Sequence, residues 1–336
     1  MQFEYTEPQT EFERLFGGHF CINAFGPINV SDEARFLDFL NTIVPPPRID
    51  LYINSGGGDV HAAMEMGRII RSGWFATSVG TYRLAPSAIP EYIVGRELIP
   101  GKCMSAATLM YLGGRLRYLD KRSQFGVHQF SFRNPTANSL SESQVLSARI
   151  SRYLEDMGIP SQFLELTAAV PSNTIQLVDH AELEKLKVVT GGQTAAEWTV
   201  QALGKAVYVR GERDSIFGHH KVILGYEAGS GFFFYGVIEA QGREAELTGH
   251  KLVQIVVNGE DNKIDVSDRC SRSVNGIYVN VFVKIAQAEA KLLAESESFG
   301  VQIKFAEESE VFLGIGAMDT ASGRDKLQGF YAALSR

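Results

Sequence analysis

The segment Arg48-Ile49-Asp50-Leu51-Tyr52-Ile53-Asn54 has the apolar density of a buried strand and runs directly into Ser55-Gly56-Gly57-Gly58-Asp59. From Val60 to Ser72, Ala62, Met66, Ile69 and Ile70 then recur at helical spacing. Three glycines between a strand and a helix let the backbone turn in conformations closed to other residues. The same alternation continues on both sides. Upstream, the apolar run from Phe20 to Phe25 closes at Gly26-Pro27, and Ser31 opens a helix through Leu40 that Pro45-Pro46-Pro47 ends. Downstream come a strand over Phe75–Val79, a helix over Ser105–Leu112 ending at Gly113-Gly114, and short strands at Arg117–Leu119 and Phe125–His128. Helices follow from about Ser141 to Met157, over Ser161–Ala169 and over Ala181–Leu186. Strands alternating with helices through residues 19–190 predict an α/β domain with a mostly parallel sheet.

After Trp198 the pattern changes to short β-rich runs separated by Gly, Asn and Asp, among them Ala206–Val209, Lys221–Leu224, Phe232–Tyr235, Leu252–Val257 and Ile277–Phe282. One helix, Ile285 to Ser296, interrupts them. Two domains are therefore expected, residues 1–198 and a second, mainly β (α+β) domain over 199–336, which suits a chain of 336 residues. There is no internal repeat and no low-complexity tract.

Composition narrows the partners. A net charge of −7 argues against nucleic acid or an anionic membrane as the main partner. Three cysteines, Cys21, Cys103 and Cys270, are too few and too scattered for a disulfide framework or a zinc site. Met1-Gln2-Phe3-Glu4-Tyr5 lacks the basic and apolar regions of a secretory signal, and no apolar run is long enough to span a bilayer. The expectation is a reduced, cytoplasmic protein without metal or cofactor. His219-His220 suggests a metal pair, but adjacent residues of a strand point to opposite faces, and loop polarity is the simpler reading.

Chemistry concentrates in the first domain. The glycine run matches neither Gly-x-Gly-x-x-Gly nor a P-loop, since no Lys-Ser/Thr follows. Its other use is an oxyanion hole, where backbone N–H groups reach a reacting carbonyl unobstructed. Ser105 lies among small residues at a helix start, where a cap is the commonest role of a serine. His128 ends an apolar strand, where a hydrogen-bonded core histidine is usual. Taken together, a hydroxyl, an imidazole and a glycine turn supply the parts for acyl transfer.

Residues 20–190 resemble the Clp protease proteolytic subunit (ClpP) and its crotonase-fold relatives. The family's Ile-Asn-Ser-Pro-Gly-Gly segment is matched by Ile53-Asn54-Ser55-Gly56-Gly57-Gly58, with Gly56 in place of proline. Its nucleophile segment is matched by Cys103-Met104-Ser105-Ala106-Ala107-Thr108, and its His-Gln dipeptide by His128-Gln129. The segments Cys-x-Ser-Ala, Leu-Gly-Gly-x-x-Arg and Gly-Val-His-Gln-Phe are also similar to a bacterial branch of ClpP-like proteins. The resemblance implies a spiral fold of ββα units and an ATP-independent serine peptidase acting on peptide or protein substrates. It implies Ser105 as nucleophile, His128 as general base and the N–H groups of Gly58 and Ala106 as oxyanion donors. It also implies a homo-oligomer, with the helix from Ser141 to Met157 as an inter-ring handle.

Two departures stand out. Thr81–Leu98 reads as an inserted loop. Where the family carries an aspartate, this chain has Pro171–Asp179, and the aligned position falls near Asn173 or Thr174, not on an acid; Asn173 is taken as the orienter, with Asp179 as fallback, although Asp179 more naturally caps the next helix. Cys103 lacks a charge to stabilise a thiolate and reads as packing. The alternatives are a catalytically inactive interaction scaffold and a crotonase-type acyl-CoA hydrolase or isomerase. The second domain is expected to select substrate or partner, with Phe232–Tyr235 either offering aromatics or filling its own core.

Overall fold

In the computed structural model, which describes all residues except 16–19, 47, 86–93, 132–137, 260–261 and 336, the chain divides into two units, Met1–Gly191 and Gly192–Arg336. The boundary lies before Trp198 rather than after it. Trp198 is 3% exposed and packs on Phe299, so it belongs to the second core.

Unit one begins with β1 (Gln2–Thr6), α1 (Glu11–Leu15), β2 (Cys21–Phe25), α2 (Asp32–Thr42), β3 (Asp50–Asn54), α3 (Val60–Ser72) and β4 (Ala76–Val79). It continues through β5 (Thr81–Leu84), β6 (Arg96–Ile99), β7 (Lys102–Met104), α4 (Ala106–Leu112), β8 (Arg117–Tyr118) and β9 (Gln124–Val127). The helices α5 (Ser139–Asp156) and α6 (Gln162–Ala169), the strand β10 (Gln176–Leu177) and α7 (His180–Lys185) complete it. A five-stranded sheet runs β1-β2-β3-β4-β8, parallel except at β1–β2, and a three-stranded sheet runs β10-β9-β7. The architecture is mixed α/β with several sheets. Helix α3 buries Ala62, Met66 and Ile70 as their spacing predicts, in one core with Tyr111, Phe125 and Tyr153.

The expected loop over Thr81–Leu98 is in its described part a hairpin, β5 paired antiparallel with β6 from Thr81↔Ile99 to Leu84↔Arg96; residues 86–93 lie outside the described residues. Asn23 anchors it by donating from Nδ2 to the Tyr82 carbonyl and accepting from the Tyr82 amide, both at 2.8 Å, and Tyr82 stacks on Tyr52. That anchoring lies far away in sequence, so local composition does not reveal it.

Unit two contains β11 (Glu197–Leu203), β12 (Ala206–Ser215), β13 (Gly218–Glu227), β14 (Gly231–Glu239), α8 (Glu244–Gly249), β15 (Leu252–Val257) and β16 (Asn262–Asp265). Then come β17 (Cys270–Asn275), β18 (Tyr278–Lys284), α9 (Gln287–Glu295), β19 (Ser298–Lys304), β20 (Leu313–Asp319) and α10 (Arg324–Leu334). Two antiparallel sheets form, ordered β11-β12-β13-β14-β18-β17 and β16-β15-β19-β20. The expected single helix is joined by α8 and α10; the latter buries Leu327 and Phe330. Phe232 and Phe234 point into the core, whereas Phe233 and Tyr235 pack against Phe282 on the opposite face. Among the described residues no helix is long and apolar enough to cross a membrane.

Candidate active site

Two strand-to-helix turns meet in unit one. The first follows β3. Gly57 and Gly58 adopt φ of 98° and 147°, and a Cβ on Gly58 would lie 2.0 Å from the Ile28 carbonyl oxygen. A Cβ on Gly57 would lie 2.7 Å from the Met104 oxygen, 2.8 Å from Ser105 Cβ and 3.1 Å from the Ala106 nitrogen. Both positions therefore demand glycine, Gly57 because the turn is pressed against the second turn. The buried Ser55 Oγ accepts the Gly57 N–H at 3.1 Å, and Asp59 caps α3 by accepting the Ala62 N–H at 2.8 Å.

The second turn is joined to the first by backbone. The Ser55 N–H donates to Lys102 O at 2.7 Å, and the Met104 N–H donates to Ser55 O at 3.1 Å. Strand β7 then stops at Ser105, whose φ of 55° and ψ of −129° is a conformation rarely adopted outside glycine, and α4 starts at Ala106. Three bonds hold this backbone: Ser105 N–H to Gly126 O at 3.0 Å, and Thr108 N–H and Oγ1 to Ser105 O at 3.0 and 2.7 Å. A serine that merely capped α4 would turn its hydroxyl onto a first-turn amide. Ser105 makes no such bond, and its half-buried hydroxyl is left available.

Strand β9 pairs in parallel with β7, Met104 opposite Gly126, so Ser105 and His128 follow the same end of the pair. His128 is half-buried, and its Nδ1 is enclosed with no hydrogen-bond partner among the described residues. The N–H groups of Gly58 and Ala106 also have no partner among the described residues; that of Ala106, first in its helix, has no intrahelical acceptor. Hydroxyl, imidazole and two uncommitted amides thus occupy one end of the β7–β9 pair and the adjoining glycine turn.

Asn173 is exposed in a turn of the segment that returns along β9, with Gln176 opposite Val127 and the Gln129 N–H on Val170 O. The segment thus brackets His128, but among the described residues Asn173 makes no hydrogen bond with it. Asp179 accepts the Glu182 N–H at 2.8 Å and caps α7. Cys103 is fully buried, and burial pushes its thiol pKa up, away from a reactive thiolate.

A groove of about 630 Å³ adjoins Gly58, lined by Ile28, Val60, His61, Phe130 and Leu146 among others. Sequence reading missed these lining residues, although Phe130 closes the Gly-Val-His-Gln-Phe segment; Ile28, the start of α3 and Leu146 of α5 become neighbours only on folding. His219 and His220 lie in β13, not in a loop, and face opposite sides of the sheet.

No family profile matches the chain, and no curated protein matches it. Among solved structures, a point mutant of ClpP1 from Listeria monocytogenes is similar at 19% identity and a TM-score of 0.35, over 50% of this chain and 86% of that one. A likeness this distant carries no weight for function.

Proposed function

We propose that unit one is a serine hydrolase, an ATP-independent ClpP-like peptidase acting on peptide or protein substrates. The observation that carries this reading is Ser105: a non-glycine residue held at φ 55° and ψ −129° between a strand and a helix, its hydroxyl unused by the fold. Such strain costs roughly 1–3 kcal/mol and persists where surroundings enforce it, most often at functional sites. In the proposed reaction Ser105 Oγ attacks the carbonyl and passes its proton to His128. The Gly58 and Ala106 N–H groups receive the oxyanion. His128 returns the proton to the leaving group, and water then releases the acyl group from Ser105. Asn173, in the segment that brackets His128, is the proposed orienter of the imidazole. The groove beside Gly58, lined by apolar residues and by Asn29, Asp59, His61 and Ser131, gives room for a substrate side chain. A spiral ββα fold and assembly into a homo-oligomer through α5, where Leu140 and Val145 are exposed, belong to the same proposal.

One observation favours the inactive-scaffold reading: His128 Nδ1 has no partner among the described residues, so nothing fixes its tautomer. The two readings separate in kinetics on peptide and activated-ester substrates. Ser105→Ala and His128→Ala should each lower turnover by about 10⁴–10⁶-fold, with the double variant little worse than either, because groups acting as one unit are not additive. Asn173→Ala should lower it by roughly 10–10⁴-fold while folding survives. Losses that multiply in the double variant, or wild-type turnover indistinguishable from Ser105→Ala, exclude the mechanism.

A further inference from the structure

The inward faces of β12, β13 and β14 follow an apolar pattern along most of their length: Val209 on β12, Val222 and Leu224 on β13, Phe234 on β14. At one end the pattern breaks. Arg213 of β12 lies directly opposite His220 of β13, which lies opposite Ile238 of β14. Directly opposed residues of antiparallel strands share a face with Cβ atoms roughly 5 Å apart. This row faces a partly open cavity of about 490 Å³ within unit two, lined also by Leu247 of α8, by Leu313 and Gly314 of β20, and by Glu239 and Arg243. The volume falls within the range of roughly 300–1,000 Å³ usual for small-ligand sites.

Arg213 is the informative group. Its Nη2 donates to Gly316 O at 2.9 Å and its Nη1 to Ala317 O at 3.4 Å, while Nε is buried with no partner among the described residues. A guanidinium carries five N–H donors and cannot shed its charge. Among the described residues it makes no ion pair, and burial pulls its pKa down. The nearby acids are otherwise placed: Glu239 accepts the His219 N–H at 2.8 Å, and Glu310 is exposed at the rim. A buried cation without an ion-pair partner is costly. An anionic ligand removes that cost, and the apolar walls suit a hydrocarbon body.

We propose that this cavity binds a carboxylate carried on an apolar chain, with Arg213 receiving the carboxylate and Ile238, Leu247 and Leu313 enclosing the chain. Such a group belongs either to a medium-chain fatty acid or to the C-terminus of an apolar peptide. The site does not depend on the chemistry proposed at Ser105.

The test is calorimetric titration of the full-length Ser105→Ala chain, which keeps hydrolysis out of the measurement. Octanoate is compared with octanol, and an apolar tripeptide acid with its C-terminal amide. Saturable one-to-one binding of either acid, at least tenfold tighter than its neutral counterpart, is expected, and the acid that saturates identifies the source. Arg213→Gln, confirmed folded by its melting transition, should abolish the acid preference. Equal binding of acid and neutral probes, an acid preference that survives Arg213→Gln, or no saturable binding of either acid overturns the proposal. The acid–neutral comparison on unsubstituted Arg213 decides even where the glutamine variant does not fold.

Discussion

The two units depart from regularity in different ways. In unit one the departures are in the backbone. Gly57, Gly58 and Ser105 all take positive φ at the ends of β3 and β7, and the candidate machinery includes two main-chain N–H groups. In unit two β12, β13 and β14 beside the cavity are regular antiparallel ladders, only β19–β20 carrying a register shift, and the main departure is in the side chains, with Arg213 and His220 at inward positions. Parallel strands end in crossovers, and those ends are where backbone groups are left over and can be aimed. Antiparallel strands joined by short turns use most of their backbone groups in pairing, so a site must be built from side chains on an inner face.

This contrast is open to attack from either side. The largest effect is expected at the glycine turn. Gly58→Ala puts a methyl group against the Ile28 carbonyl at a φ of 147°, and should destabilise unit one by roughly 2–4 kcal/mol. Displacing one oxyanion donor should also cost about 10²–10³ in turnover. Calorimetry should show the unit-one transition falling while that of unit two stays in place; a shift in both transitions would show that the units do not melt separately.

A smaller effect of opposite sign is expected at Ser105. Replacing it with glycine removes the hydroxyl but suits φ 55° and ψ −129°. Relief of roughly 1–3 kcal/mol of strain exceeds the 0.5–1 kcal/mol entropic cost of glycine. Ser105→Gly should therefore be inactive yet about 1 kcal/mol more stable than wild type. A glycine variant that melts below Ser105→Ala would show the turn to be unstrained.

The subtlest effect is on pH, and it belongs to the outer face of unit two. Glu212 is held down to about 2, first by the His219 imidazole 3.7 Å away and then by the charges of Arg210 and Lys221. Its contribution to stability is present above its ordinary value of 4.5 and fades as pH falls toward about 2. His219 is pulled down by burial, but Asp214, hydrogen-bonded to its Nδ1, and Glu212, 3.7 Å from its Nε2, outweigh that and raise it. Its contribution is complete below 6.5 and fades as pH climbs through the raised value. The melting temperature of unit two should thus peak between about pH 4.5 and 6.5 and decline on both sides. His219→Gln should flatten the alkaline decline; an unchanged profile would show that the cluster is too well solvated to matter.

What the sequence disclosed follows the same contrast. Backbone irregularity leaves local traces, since Gly56-Gly57-Gly58 and the small residues around Ser105 are contiguous. The strand, turn and helix over Asp50–Ser72 are legible without knowing what they pack against. Strand β1 was not legible, because its pairing with β2 joins residues separated by a helix. Nor was β10, two residues within a stretch that reads as loop, where only pairing with β9 makes a strand. Asn173 and Asp179 were the least determined. Asp179 proves to be a helix cap, and the surroundings of Asn173 depend on where the Pro171–Val178 segment crosses β9. In unit two, Arg213 and His220 sit in alternating strands like any outward polar residue. Only the register of three strands turns them to one side of a cavity.

The most direct test of the central claim, that the Ser105 turn presents an activated nucleophile, is labelling with a fluorophosphonate probe followed by mapping of the modified peptide. Wild-type chain should be labelled at Ser105, His128→Ala should label far more slowly, and Ser105→Ala should not label at all. Labelling at another serine, or equal labelling of wild type and Ser105→Ala, would contradict the account.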